Sequence, residues 1–439
     1  MIDRTDDVEL HDPEGHSPVV GSSKPRLLRF LGPGLITGAS DDDPSGIATY
    51  SQAGAQFGYA LSWTLLFTYP LMAAVQIISA RMGRTTGRGI AGVLRAHAPN
   101  WLMIAVVLLL LAANVINIGA DLGAMADATR MLLGGPHWLW VAGFAVLSAL
   151  LQVFMQYTRY VAVLKWLALV LLVYVVTVFM AHVEWGRAAS SMVVPRIQWS
   201  REYLTTIVAL FGTTISPYLF FWQASQEAED IRVYPERQIL KRAPDQAEGA
   251  IRRIQADTLV GMGVSNVIAL AIMLTTAATL HKTGVTIESS AQAAEALKPT
   301  MGAMAQAVFA LGVIGTGLLA VPVLAGSAAY AIGEALKWPT GLDRGPLEAK
   351  AFYATIVIAT LVGMLLNFTT VNPIAALYWS AVVNGVTAVP VMALMMVLAS
   401  SEKVMGAFKI GPWLRILGWF ATLAMAASVL VMAGSAVLG

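Results

Sequence analysis

Residues 32–58 read GPGLITGASDDDPSGIATYSQAGAQFG. Three consecutive aspartates, Asp41–Asp43, and then Pro44 interrupt a segment that is otherwise apolar or small. Proline lacks a backbone donor and disfavours helix at the residue before it, so this pattern predicts a helix that unwinds in its middle. The alternative is that the aspartates only cap a helix starting at Ile47, and the apolar run from Leu27 to Ile36 argues against it.

The composition around this segment is that of a chain that lies mostly in lipid. Of 439 residues, 57% are hydrophobic and 12% are charged, where a soluble protein carries about 25% charged residues. The apolar residues form long blocks, such as Trp101 to Ala113. These features exclude a soluble enzyme, a disordered chain and a fibrous repeat. The chain has no cysteine, which excludes disulfides and thiolate metal sites, and its net charge of +2 does not suggest a nucleic-acid partner.

At about 20 apolar residues per crossing, the hydrophobic blocks predict eleven membrane spans. They are residues 31–55, 61–80, 101–121, 138–157, 160–182, 203–226, 257–280, 302–335, 351–368, 372–399 and 412–437. With the N-terminus in the cytoplasm, this count places 22 of the 28 Lys and Arg residues on the inner side, in agreement with the positive-inside rule. We therefore expect a multi-pass protein of the inner (plasma) membrane with a flexible cytoplasmic tail at residues 1–26.

The sixth span repeats the pattern of the first. Residues 203–229 read YLTTIVALFGTTISPYLFFWQASQEAE, and Pro217 with its polar neighbours interrupts an apolar segment. Matching breaks five spans apart are typical of inverted-repeat transporters whose site lies near the bilayer midplane. A carboxylate within the membrane also points to an ion or proton site, here with Asp43 as its negative charge. We expect one transporter domain over residues 27–439, with repeats at 31–182 and 203–399 and an additional helix at 412–437.

These two breaks resemble the signature segments of the Nramp (natural resistance-associated macrophage protein) metal transporter family. Asp43-Pro44-Ser45-Gly46 and Thr213-Thr214-Ile215-Ser216-Pro217-Tyr218 carry the resemblance, and their flanking residues look like the bacterial magnesium-transporting branch of the family. The resemblance covers about residues 30–435. It implies an all-α, LeuT-like (5+5) fold with broken helices 1 and 6, divalent-cation transport by alternating access, and no enzymatic activity.

The chain departs from the family pattern at residues that the resemblance implies are metal ligands. Asp43 matches, but Gly46 replaces an asparagine, Thr213 an alanine and Ser216 a methionine. The methionine thioether is a soft ligand, whereas hydroxyl, carboxylate and carbonyl oxygens suit Mg²⁺ or Mn²⁺. Mg²⁺ also keeps several waters, for which small residues would leave room. We expect a hard, hydrated divalent cation as the transported substrate and no resident cofactor.

Proton coupling is not expected, since Tyr218 and Gln223 replace the histidines of the proton-coupled members and do not titrate near neutral pH. We interpret both, with Asn384 of span ten and Asp121 of span three, as pathway or gating residues. Asp121 could relay protons, but its place near the outer end of span three favours a solvated or capping role. Uptake would then be driven by the membrane potential, which is worth about 4.6 kcal/mol per 100 mV for a divalent ion.

Three alternatives stay open at this stage. The first is a proton- or sodium-coupled carrier of another metal, an amino acid or another organic solute on the same fold; the second is a metal-dependent intramembrane enzyme; the third is a non-transporting sensor. The charged segment 226–255 is expected to be a solvated cytoplasmic linker that has room for a short helix, with a gate latch or regulatory contact as its alternative. The expected partners are the metal ion and the lipid bilayer, and we expect a monomer.

Overall fold

The computed structural model describes residues 37–38, 40–154, 169–281, 284, 287–369 and 371–438, without the side chains of 436–438. The predicted tail at 1–26 lies outside these residues, as do parts of spans one, four and five. The described secondary structure is helical. In chain order the α-helices are α1 Pro44–Phe57, α2 Ser62–Thr86, α3 Ile90–His97, α4 Asn100–Leu133, α5 His137–Phe154, α6 Leu172–Met180, α7 Trp185–Val193, α8 Arg201–Thr214, α9 Pro217–Val233, α10 Ala247–Thr279, α11 Ser290–Ala294, α12 Lys298–Met301, α13 Ala305–Leu336, α14 Lys350–Leu366, α15 Pro373–Ser400, α16 Glu402–Met405 and α17 Pro412–Leu438.

Both predicted helix breaks are present. In the first span, helix ends after Asp41, residues 42 and 43 are non-helical, and α1 begins at Pro44. In the sixth span, α8 ends at Thr214 and α9 begins at Pro217. Each proline occupies the first position of its helix, where its missing N–H would have had no intrahelical partner. The prolines therefore start the second half of each broken span.

The predicted spans coincide with helices wherever the structure describes them. Within that part of the chain, eight helical segments are long and apolar enough to cross a membrane, and α14 is a shorter apolar helix. The first and second spans form one of these segments, in which a 3-10 turn at Gly58–Leu61 joins α1 to α2. The third span is longer than predicted, since α4 continues to Leu133.

Glycines let the broken helices approach their neighbours closely. A Cβ at Gly212 of α8 would lie 2.0 Å from the backbone oxygen of Ala381 on α15. A Cβ at Gly83 of α2 would lie 2.1 Å from the backbone oxygen of Ala224 on α9. Small residues at such points allow helices in membranes to pack backbone against backbone. These contacts hold the halves of the sixth span between α15 and α2.

The segments predicted to face the cytoplasm meet at one end of the bundle. Arg81 of α2 donates to the carbonyl of Phe408, and Arg232 of α9 donates to the carbonyl of Thr340. Arg95 of α3 donates to the carbonyl of Glu334. We refer to this end as the basic end.

The prediction of a solvated linker at 226–255 is correct only in part. The helix α9 runs to Val233 and α10 starts at Ala247, and most residues between them are exposed or partly exposed. Residues 226–230 are instead buried, and two buried ion pairs hold the segment: Arg253 to Glu227 at 2.5 Å and Arg237 to Asp230 at 2.6 Å. Part of the charge in this segment therefore pairs inside the protein.

Candidate functional site

Asp43 stands at the break of the first span and caps the helix that follows it. Its Oδ1 accepts hydrogen bonds from the backbone N–H of Gly46 at 2.7 Å and from Ser45 Oγ at 2.9 Å. Its Oδ2 accepts from Asn117 Nδ2 at 3.0 Å, and the Tyr218 hydroxyl oxygen lies 3.4 Å away. A carboxylate has about four lone-pair positions, so these donors orient it fully. A cation approaching Oδ2 would replace the longest contact, that of Tyr218.

Gly46 lets the two broken spans approach each other closely. A Cβ at this position would lie 3.1 Å from Thr213 Oγ1, 3.2 Å from the carbonyl oxygen of Asp41 and 3.3 Å from Tyr50 Cε2. Any side chain here would therefore press against two oxygens, one from each span. The glycine that replaces the family's asparagine thus leaves a narrow oxygen-lined space beside Asp43, too small for a methyl group without some adjustment.

Ser216 and Thr213 contribute oxygen atoms at the C-terminal end of α8. The Ser216 hydroxyl contacts the carbonyls of Gly212 at 2.7 Å and Thr213 at 2.9 Å. The last carbonyls of a helix lack intrahelical partners and carry the negative end of the helix dipole. This end of α8 therefore presents partial negative charge at the break, which favours a cation and disfavours an anion.

Two further aspartates converge on one hydroxyl beside this space. Ser265 Oγ of α10 lies 2.5 Å from Asp41 Oδ2 and 3.3 Å from Asp42 Oδ1. The exposed fractions of Asp41, Asp42 and Asp43 are 1%, 3% and 2%. The ion pairs found among the described residues include none of the three. The break of the first span is therefore a strongly electronegative, water-excluded region.

The expected solvated or capping role of Asp121 is wrong. Asp121 is fully buried, because α4 continues for three more turns to Leu133 instead of ending near residue 121. Asn117, one turn earlier, donates to Asp121 Oδ2 at 3.3 Å as well as to Asp43. Asn384 of α15 in turn donates to Asn117 Oδ1 at 3.3 Å. The amide of Asn117 therefore links Asp43, Asp121 and Asn384.

The other predicted pathway residues and the two prolines differ in how directly they contact Asp43 and its hydrogen-bond partners. The Tyr218 hydroxyl donates to the carbonyl of Ser40 at 2.9 Å, so it joins the start of α9 to the first span just before its break. Gln223 is buried on the same helix, but the structure does not bring it to Asp43: its amide donates to Thr258 Oγ1 of α10 at 3.0 Å. Pro44 and Pro217 act only through the helix starts that they fix.

Sequence reasoning missed several residues of this region. Ser265 is one hydroxyl in an apolar helix, and Asn117 is one neutral amide in an apolar span. Nothing in the local pattern distinguishes them from polar residues that bond between helices. Only the packing of α10 and α4 against the first break brings them to the aspartates.

The candidate metal ligands are all oxygen atoms, and Asp43 provides the only charged side chain among those assigned in the described residues. In the described part of the chain, no group of three or more His, Cys, Asp or Glu side chains is arranged to hold a metal ion. The region instead offers the Asp43 carboxylate, the hydroxyls of Thr213 and Ser216, and the Asp41 carbonyl beside the space at Gly46. Such oxygen ligands suit hard cations.

Known relatives share this architecture over nearly the whole chain. A family model described as natural resistance-associated macrophage protein-like (Nramp) matches residues 34–434. A divalent metal cation transporter MntH of Caldanaerobacter subterraneus is 23% identical, over 91% of this chain and 91% of its own length. The MntH protein of Bacillus subtilis is also 23% identical, over 90% of this chain and 89% of its own length.

Solved structures give the same result for the fold. A manganese transporter of Eremococcus coleocola has a TM-score of 0.74 at 18% identity, covering 97% of this chain and 90% of that one. MhsT in complex with L-phenylalanine has a TM-score of 0.60 at 12% identity, covering 92% and 98%. These likenesses confirm the predicted all-helical, LeuT-like fold. Together with the family match from the first break to the last helix, they show that this chain belongs to the Nramp family of multi-pass membrane transporters and is not an enzyme.

Proposed function

We propose that this protein imports a hydrated hard divalent cation, Mg²⁺ and also Mn²⁺, by alternating access. The observation that carries the proposal is the oxygen-lined space at Gly46, which lies between Thr213 Oγ1 and the Asp41 carbonyl and beside the Asp43 carboxylate. Mg²⁺ binds through few protein oxygens and retains several waters. The names of the relatives support divalent-metal transport, and the chemistry of the donor set favours the harder ions.

The ligands we assign are Asp43, Thr213 and Ser216, and Gly46 adds no side chain that would displace coordinated water. Asp41 and Asp42 lie close enough to add negative potential, because two charges at short range in a low-dielectric interior interact strongly. An amino-acid substrate fits poorly, since its carboxylate would face these aspartates and the negative end of α8. The amino-acid alternative is therefore disfavoured by charge.

We propose that the membrane potential drives uptake without obligatory proton coupling. At about 4.6 kcal/mol per 100 mV for a divalent ion, the potential sustains an accumulation of about 2,000-fold. The positions at which coupled members carry histidines are Tyr218 and Gln223, and Gln223 is bonded to Thr258. Asp121 is the titratable group to test for a proton route, because Asn117 connects it to Asp43.

The orientation we propose places the basic end in the cytoplasm, in the plasma membrane, with the N-terminus inside. The excess of Lys and Arg on that side supports it. We also propose that the two repeats predicted from the sequence, residues 31–182 and 203–399, move relative to each other about the paired breaks.

The decisive experiment measures Mg²⁺ entry and lumenal pH together in proteoliposomes with an imposed inside-negative potential. We expect potential-dependent Mg²⁺ entry without lumenal acidification, and loss of entry in Asp43→Ala. Asp245→Asn is the matched control, because it removes a carboxylate from an exposed connection at the basic end. Acidification in a fixed ratio to Mg²⁺ would refute the uncoupled mechanism, and parent-like entry in Asp43→Ala would refute the site.

A further inference from the structure

An apolar groove lies on the outside of the bundle at its basic end. It has a volume of about 730 Å³ and runs between the first turns of α4 and the last turn of α13. Met103 and Val107 line the groove as buried residues, each 6% exposed. Ile104, Leu108 and Leu336 are exposed, at 50%, 57% and 55%. From Asn100 to Leu108 the wall is about 12 Å long at 1.5 Å per residue, which matches a substantial part of one acyl chain.

Two positive charges stand at the polar end of this groove. Arg95 and Lys337 are both part of its lining, and the described lining contains no acidic residue. Arg95 donates to the backbone carbonyl of Glu334, which leaves its charge without a carboxylate partner. The Glu334 carboxylate is already engaged by the N–H groups of Gly89 at 3.0 Å and Gly92 at 2.8 Å. Among the described residues, neither Arg95 nor Lys337 forms an ion pair.

A second cavity continues the groove toward the predicted cytoplasm. Its volume is about 340 Å³, and it shares Arg95 and Lys337 with the groove. Arg88 and Arg232 add two more basic side chains to its described lining, against the one carboxylate of Glu334. The charge of Arg232 is partly compensated, because it also lies 3.6 Å from Glu229 and 3.8 Å from Asp343. An apolar channel that leads to such a basic pocket is complementary to a molecule with an apolar tail and an anionic head.

The backbone of Lys337 provides an independent reason to look for a ligand. Lys337 ends α13 in the left-handed conformation, with φ at 61° and ψ at 30°. Glycine is the usual residue at this position, since a Cβ is unfavourable in that conformation. This chain has a lysine there despite the unfavourable backbone conformation, and strained positions of this kind point to function.

We propose that this groove binds one anionic phospholipid of the cytoplasmic leaflet. Its phosphate would lie between Arg95 and Lys337, and an acyl chain would lie along Ile104 and Leu108. Basic pockets between transmembrane helices on the cytoplasmic side recognise anionic head groups in this way. The lipid would join the α3–α4 corner to the end of α13, and this inference does not depend on which ion is transported.

The test measures lipid binding to the purified full-length protein by native mass spectrometry and by thermal melting in detergent. The probes are phosphatidylglycerol and phosphatidylcholine with identical acyl chains. We expect one tightly bound phosphatidylglycerol per chain, a higher melting temperature with phosphatidylglycerol than with phosphatidylcholine, and an affinity at least about tenfold lower in the double variant R95Q/K337Q. Lys403→Gln, which removes one charge from an exposed lysine at the same end but outside the groove, is the control and should bind as the parent does.

Lys337→Gly separates lipid binding from folding. This change removes the charge but suits the left-handed backbone, so the lipid-free melting temperature should be unchanged or higher while phosphatidylglycerol binding falls. Parent-like binding in R95Q/K337Q, or an equal loss in Lys403→Gln, would overturn the proposal. Equal protection by inorganic phosphate would also overturn it, because the site would then take a free anion without using the apolar groove.

Discussion

Gly46→Ala is the sharpest single perturbation of the proposed ion site. The new methyl group would lie 3.1 Å from Thr213 Oγ1 and 3.2 Å from the Asp41 carbonyl oxygen, closer than the 3.4–4 Å of ordinary contacts. It would fill the narrow space between these oxygens, where we propose that the ion binds. The charge of Asp43 and the hydrogen bond from the backbone N–H of residue 46 would remain.

The structure allows the folding and binding effects of Gly46→Ala to be separated. Alanine in place of glycine favours the helix by about 0.5–1 kcal/mol, and overpacking of a close-packed site costs about 1–3 kcal/mol. When the overpacking cost is near the lower end of its range, it nearly cancels the gain in helix stability. The variant should therefore fold and should melt within a few degrees of the parent. A hydrated ion must also share the filled space, and each further 1.4 kcal/mol lowers its affinity about tenfold. We expect an apparent Mg²⁺ affinity lower by about ten- to a hundredfold.

The assay is potential-driven Mg²⁺ entry into proteoliposomes over a range of Mg²⁺ concentrations, combined with melting curves of the same samples. Gly143→Ala is the matched control, because a Cβ at Gly143 in the interior of α5 meets nothing within 4 Å. It should transport as the parent does. If Gly46→Ala shows parent-like affinity and rate, the space at Gly46 does not hold the hydrated ion and the reasoning fails.

Two further predictions concern the scaffold. Arg253→Ala leaves Glu227 buried without its partner, which costs about 3–5 kcal/mol and should lower the melting temperature markedly. The double variant E227M/R253M should recover most of this loss. An undisturbed melting temperature in Arg253→Ala would show that the pair is not buried as described. Gly212→Ala would place a methyl group 2.0 Å from a backbone oxygen of α15, so α8 and α15 must separate and the yield of folded protein should fall sharply. The control Gly186→Ala, at an open position, should express normally. Similar yields from both variants would contradict the close approach of α8 and α15.

The break of the first span shows how much local sequence can specify. Asp43 followed by Pro44 prescribes a helix start whatever the surroundings, since an aspartate accepts from the first turn and a proline fits its first position. The structure has this arrangement, with Gly46 N–H bonded to Asp43. The paired break at Pro217 was readable for the same reason.

Asp121 shows where local sequence fails. Its depth depends on how far α4 continues beyond the apolar run, and moderately polar residues such as those at 123–130 continue a helix when neighbouring helices cover them. Likewise, the high charge content of the 226–255 segment predicts that it is solvated. Composition alone does not reveal that Glu227 and Asp230 have buried partners. Burial of a charge depends on a residue far along the chain, and such pairs are decided by packing.

The features that depend on short-range chemistry could therefore be predicted from the sequence. They are the all-helical membrane chain, its spans, and the two helix breaks with Asp43 at the first. Hydropathy, proline and glycine act within a few residues, so their effects can be read along the chain. The packing of whole helices places Gly46 against Thr213, brings Ser265 to Asp41 and Asp42, and lets Asn117 link Asp43 to Asp121. Apart from the one-turn step from Asn117 to Asp121, these contacts join residues dozens to hundreds of positions apart, so local sequence does not specify them.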